Sequence, residues 1–123
     1  TKRQGREESE MDALDFNVKL TPQQVIDYLD QGIVGGSATG ERIDSYYVED
    51  GDGHIFIVAV YEKHYYRAGN RLTLTVCAEN MRGYTHVHAA GGGGGEGIFR
   101  FDWGAASSFT NSAYDILADF VVD

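Results

Sequence analysis

His86 and His88 are separated by one residue, and Tyr84 precedes His86 by two. Side chains along an extended strand repeat with period two, so these three share a face. Two imidazoles at that spacing can hold a divalent metal, and the pattern suits metal sites on antiparallel sheets. A complete site needs a third ligand. The nearest acid downstream, Glu96, follows five glycines, and His54 and His64 belong to another strand. The competing reading is a pair of half-exposed strand histidines hydrogen-bonded to tyrosines. No cofactor is predicted; a divalent metal, if one is held, would take His86 and His88 as ligands, and a small-molecule site on the same surface would add Tyr84 and Arg100. No catalytic residue is expected.

The run Gly91 to Gly95, continued by Glu96 and Gly97, matches the dinucleotide fingerprint at Gly92, Gly94 and Gly97. Any pure glycine run does so, and the fingerprint works only where the glycines open a helix within a βαβ unit. A strand is expected after this run, at Ile98 to Trp103. The glycines with Ala89 and Ala90 read instead as a bare backbone strip, open to close approach by the C-terminal helix or serving as a mobile ligand loop. Cys77 shares strand parity with Thr73 and Thr75, and as a nucleophile it would need an adjacent base and an activated thiolate. Glu62 and Glu79 lie on neighbouring strands, but no spacing marks them as an acid and base pair.

These residues must be carried by local elements. Leu14, Phe16, Val18 and Leu20 alternate with polar neighbours, which predicts a half-buried strand. Thr21, Pro22 and Gln24 form a helix start: a capping hydroxyl, a proline where no N–H is needed, and an amide that reaches back. Leu20 against Val25 supplies the hydrophobic staple. Ile26, Leu29 and Ile33 extend the helix from Pro22 to Gln31 or Ile33, with Gly32, Gly35 and Gly36 as left-handed stops.

From Glu41 to Trp103 the chain reads as strands at Glu41 to Glu49, Ile55 to Tyr66, about Leu72 to Cys77, from Tyr84 into the glycine run, and Ile98 to Trp103. Turns fall at Asp50 to Gly53, Ala68 to Asn70 and Asn80 to Gly83. Short turns make consecutive strands antiparallel, so the sheet is a meander of about five strands. Phe109, Ala113, Ile116, Leu117 and Phe120 form one helical stripe, with Ser107 or Ser108 as its cap.

In the second strand Ile55, Ile57, Ala59 and Tyr61 point one way and Phe56, Val58 and Val60 the other, so both faces are apolar. Either the helices lie on opposite faces, or they share one and a second subunit of a homodimer covers the other. Tyr46, Tyr47, Tyr61, Tyr65, Tyr66 and Tyr84 all fall in sheet segments, a surface of rigid rings suited to a protein partner or a small ligand.

Composition narrows the classes. The 123 residues are one domain's worth, and 42% hydrophobic with 12% aromatic content can enclose a core. Ten basic against 19 acidic residues leave a net charge of −9, which repels nucleic-acid phosphates and anionic membranes. The longest apolar run, Ile55 to Tyr61, is far short of the ~20 residues of a membrane-spanning helix. A single cysteine and the absence of a leader pattern point to the cytoplasm. Residues 1 to 10, before Met11, lack apolar periodicity and read as a flexible or vector-derived tail, leaving 11 to 123 as one α+β domain.

The capped helix at Thr21, the glycine run, the segment Phe99, Arg100, Phe101, Asp102, Trp103 and Gly104, and the closing amphipathic helix together resemble a family of small bacterial, Firmicute-type proteins known only as a domain of unknown function. The resemblance covers nearly all of residues 12 to 122 and carries no activity or cofactor with it. The function expected is a non-catalytic module for small-molecule binding or protein interaction, including self-association. The alternative is a small metal-binding protein or metal-dependent enzyme using His86 and His88.

Overall fold

The computed structural model describes residues 7–8, 13–65, 70–93 and 103–122, with backbone alone at 7–8, 65, 70 and 103–107. In chain order the elements are β1 (Glu7–Glu8), β2 (Ala13–Val18), α1 (Pro22–Leu29), a π turn (Asp30–Val34), β3 (Glu41–Glu49), β4 (Ile55–Tyr65), β5 (Asn70–Glu79), β6 (Thr85–Gly93), α2 (Trp103–Leu117), a 3₁₀ turn (Ala118–Phe120) and β7 (Val121–Val122). All strands form one antiparallel sheet in the order β1-β2-β6-β5-β4-β3, with β7 also on β2. The fold is α+β. The meander from β3 to β6 is as the turns dictate, and β2 joins it beside β6, about 70 residues on. Glu7 and Glu8, which the sequence reading leaves outside the fold, pair with Asp15 and Leu14.

Helix α1 starts where its residues require. The Gln24 N–H donates to the Thr21 hydroxyl at 3.1 Å, and the Thr21 N–H donates to the Gln24 side-chain oxygen at 2.9 Å. Both orphan donors are thereby satisfied. The end of the helix differs from expectation: it widens into the π turn, and Gly35 holds φ −72° rather than a left-handed angle. The Gly35 N–H donates to the Asp30 carbonyl at 3.1 Å, the five-residue closure of a π turn. Glycine is needed here for closeness: a Cβ at Gly36 would stand 2.5 Å from the Gly32 carbonyl oxygen, and one at Gly40 2.3 Å from that of Ile33. Left-handed glycines occur instead at Gly51 and Gly53 before β4, at Gly83 before β6 and at Gly93, the last residue of β6.

Both helices lie on the same face of the sheet. α1 packs on β4 and β5, α2 on β6, β5 and β2, and the two touch each other. One hydrophobic cluster results. Ile57, Ala59 and Tyr61 of β4, Leu72, Leu74, Val76 and Ala78 of β5, and Leu14, Phe16 and Val18 of β2 meet Val25, Ile26 and Leu29 of α1 and Phe109, Ala113 and Leu117 of α2. Each buried Val, Leu, Ile or Phe side chain among them contributes about 1.5–3 kcal/mol by leaving water. Ile116 and Phe120 border the cluster, and Phe16 meets Tyr114 edge to face with ring centres 5.0 Å apart.

Two expectations about the C-terminal segment change. Trp103 opens α2 instead of ending a strand, and Ser107 and Ser108 lie inside that helix instead of capping it. The rest of the expected strand falls in residues 94–102, outside the described ones. Gly91 to Gly93 belong to β6 and pair with Leu74, Thr73 and Leu72. A Cβ at Gly92 would meet the Thr73 hydroxyl at 3.3 Å, so its close neighbour is β5 and not a helix. No helix among the described residues is long and apolar enough to cross a membrane.

Candidate functional site

The strand registers order the face opposite the helices into rows. One row reads Asn17, His86, Glu79, Phe56, Val48, and the next Asp15, His88, Cys77, Val58, Tyr46. Period-two alternation puts these residues outward because Leu14, Phe16, Val87, Val76 and Ile57 take the inward positions of the same strands. The face is polar over β2 and β6 and apolar over β4 and β3.

His86 and His88 share the outer face of β6, as their spacing predicts, and β2 brings Asp15 between them. The His86 Nε2–H donates to Asp15 Oδ1 at 2.9 Å, and the His88 Nδ1–H donates to the same oxygen at 2.8 Å. His86 Nδ1 lies 2.7 Å from Asn17 Oδ1. A carboxylate only accepts, so Asp15 dictates which ring nitrogens carry hydrogen. Partial burial pushes the Asp15 carboxyl up, but hydrogen bonds from both histidines, and the attraction of their rings in the charged form, outweigh it, so its pKa is lowered. The expected partners were tyrosines; Asp15 and Asn17 hold the imidazoles instead.

The remaining candidates do not join this cluster. Tyr84 stands one residue before β6, with the Arg82 guanidinium 5.4 Å from its ring centre. Arg100 lies outside the described residues. His54 pairs with Asp50 at 2.6 Å in the β3–β4 turn, and His64 sits at the far end of β4 opposite Arg71. Glu62 faces Thr73 while Glu79 faces Phe56 and His86, so these two carboxylates are not opposed across the strands. Glu79 is occupied by Arg82 at 3.2 Å and by the Met81 N–H at 2.9 Å. Among the described residues no group of three or more His, Cys, Asp or Glu side chains is arranged to hold a metal.

Cys77 is the cross-strand neighbour of His88, and Asp15 orients that histidine from the other side. A cysteine, a histidine and an aspartate thus stand in one row, the order a thiol nucleophile would use. The thiol is tuned the wrong way for it. Burial first, and then the charge of Glu79, push the Cys77 thiol up, where a nucleophile needs it lowered.

Residues 11–121 match the model of DUF6054, a family of unknown function. The chain belongs to that family. A search of curated proteins finds no match. For this DUF6054 member, function has to be read from the surface itself.

Two further surface features of the DUF6054 chain stand apart from the histidines. A polar hollow of about 620 Å³ is lined by Thr39, Gly40, Glu41, His64 and Arg71, with Arg71 bound to Glu62 at 2.8 Å. In its wall the Thr39 hydroxyl donates to the His64 carbonyl and accepts the His64 N–H. The second is β3, exposed at all nine residues. Ile43, Tyr46, Tyr47 and Val48 are among the large hydrophobic side chains it leaves in solvent. Sequence reading marked the tyrosines and missed Asp15 and Asn17. Their outward parity was readable from Leu14, Phe16 and Val18, but the pairing of β2 with β6 was not.

Proposed function

We propose that this DUF6054 protein is a non-catalytic interaction module that associates with itself through the β3 side of its sheet. The observation that carries the reading is the exposure of Tyr46 and Val48 on β3, continuous with half-buried Phe56, Val58 and Val60 on the outer face of β4. Isolated exposed hydrophobic residues are ordinary, whereas a contiguous strip on an uncovered sheet marks a contact surface. A raised Cys77 thiol and histidines already engaged by Asp15 and Asn17 support binding over catalysis. An unpaired cysteine fits a reducing compartment, the cytoplasm.

Light scattering over a concentration series tests it. The mass should climb from monomer toward dimer and fall back on dilution; a monomer mass at millimolar protein would refute self-association. Metal analysis of the same sample addresses the rival use of His86 and His88. Stoichiometric zinc, nickel or iron that disappears in a His86→Ala, His88→Ala double variant would establish the metal-binding reading in place of this one.

A further inference from the structure

We infer that β3 pairs antiparallel with β3 of a second copy of this chain, about a twofold axis normal to the sheet, so that the two sheets become one. The inference rests on the self-association proposed above and adds its geometry.

The two edges of the sheet are treated differently by the fold. At one edge β2 is flanked by β1, which pairs at Asp15 and Leu14, and by β7, which pairs at Asn17 and Val18. At the other edge β3 has β4 as its partner and nothing beyond among the described elements. An exposed strand edge is a row of unpaired N–H and C=O groups, a template for another strand. Charges and bulges normally blunt such edges. Here they gather at the start of β3, where Glu41, Arg42 and Asp44 surround a register shift between Arg42 and Asp44. From Ser45 to Val48 there is no charge, and pairing with β4 is regular from Asp44 to Glu49.

Exposure separates edge pairing from face stacking. Tyr46 and Val48 share the outer face with Val58 and Phe56, while Tyr47 sits opposite the inward-facing Ile57 on the helix side. Tyr46 is 63% exposed and Tyr47 49%. A molecule stacked on the outer face would cover Tyr46 and leave Tyr47 wet. A strand added at the edge flanks both faces and shelters both rings.

The occupant follows from symmetry and from the uncharged stretch Ser45 to Val48, which sets no like charges together at the centre of a self-paired strand. With a single bare edge among the described elements, pairing between copies closes at two, as a twofold interface does. Because side chains alternate with period two, a twofold axis normal to the sheet must set one residue against its own copy. At the centre of the uncharged stretch that residue is Tyr46 or Tyr47. The regular segment is only about 20 Å long at ~3.4 Å per residue, so the interface belongs to the small, reversible class.

Cysteine cross-linking tests this on the full chain in a Cys77→Ser background. Tyr46→Cys and Tyr47→Cys are made singly, with Val58→Cys as the face control, and all are oxidised at concentrations where light scattering reports dimer. One of the two β3 variants should convert mostly to disulfide-linked dimer, and Val58→Cys should remain at least tenfold behind. Dimer mass with cross-linking through Val58→Cys, and through neither β3 position, would overturn edge pairing and leave self-association standing. Monomer mass throughout would remove the self-association reading itself. All three substitutions are at exposed or half-buried positions, so folding is checked by unchanged circular dichroism.

Discussion

Asp30, at the start of the π turn, accepts from two donors on two strands. The Tyr61 hydroxyl of β4 donates to its Oδ1 at 2.8 Å, and Arg42 of β3 to its Oδ2 at 2.9 Å. The three positions are unequal: Tyr61 is 0% exposed, whereas the Arg42 and Asp30 side chains are 39% and 35% exposed. Replacing Tyr61 by Phe removes a donor and leaves a carboxylate that water can reach, a cost of about 1 kcal/mol or less. Replacing Asp30 by Ala strands a hydroxyl in the core, about 1–3 kcal/mol, and breaks an exposed ion pair worth about 0–1 kcal/mol. Asp30→Ala should therefore cost more than Tyr61→Phe, by about 1–2 kcal/mol. The double variant should be more stable than Asp30→Ala alone, because the stranded hydroxyl is gone. Urea midpoints with an unchanged m value measure both differences. A double variant less stable than Asp30→Ala would refute the premise that the hydroxyl is cut off from water.

The same group sets an alkaline limit. Burial first, then the hydrogen bond to Asp30 and its charge, raise the Tyr61 pKa. A raised folded value contributes stability that is intact below the unfolded value near 10 and is lost as pH rises beyond it. Tyr61→Phe should flatten the loss of stability above about pH 10.

Three other outcomes follow from the geometry. Asp15 has a lowered pKa in the fold, so its contribution is full above the unfolded value of about 4 and disappears as pH falls through the folded one; Asp15→Asn should be destabilising in urea at pH 7, with the gap to wild type shrinking below pH ~4. Gly40→Ala drives a Cβ toward the Ile33 carbonyl at 2.3 Å and should cost about 1–3 kcal/mol, while Gly92→Ala meets only the Thr73 hydroxyl at 3.3 Å and should melt closer to wild type. Thr21→Ala removes the acceptor for the Gln24 N–H and should lower stability by about 1 kcal/mol in the same urea assay.

Much of the fold was legible because its causes are local. The Thr21, Pro22, Gln24 start, the glycine turns at Gly51, Gly53 and Gly83, and the alternation along β4 each depend on residues within a few positions. Period two says which side chains share a face, and it placed His86 and His88 together correctly. The end of α1 was harder to read. Gly35 and Gly36 looked like left-handed stops, yet their role is to let backbone approach backbone in a π turn, a closeness that residue type alone does not reveal.

The amino-acid order by itself determined β2 to β6, the start of α1, the antiparallel meander and the parity of those strands. Tertiary structure decided the rest: that β2 lies against β6, that both helices share one face, and that β3 is left bare. The physical reason is reach. Hydrogen bonds and side-chain periods act over a few residues and are written into neighbouring positions, but Asp15 meets His86 and His88 across more than 70 residues of chain. That meeting depends on which sheet edge receives β2 once the core has formed, and no spacing in the sequence encodes it.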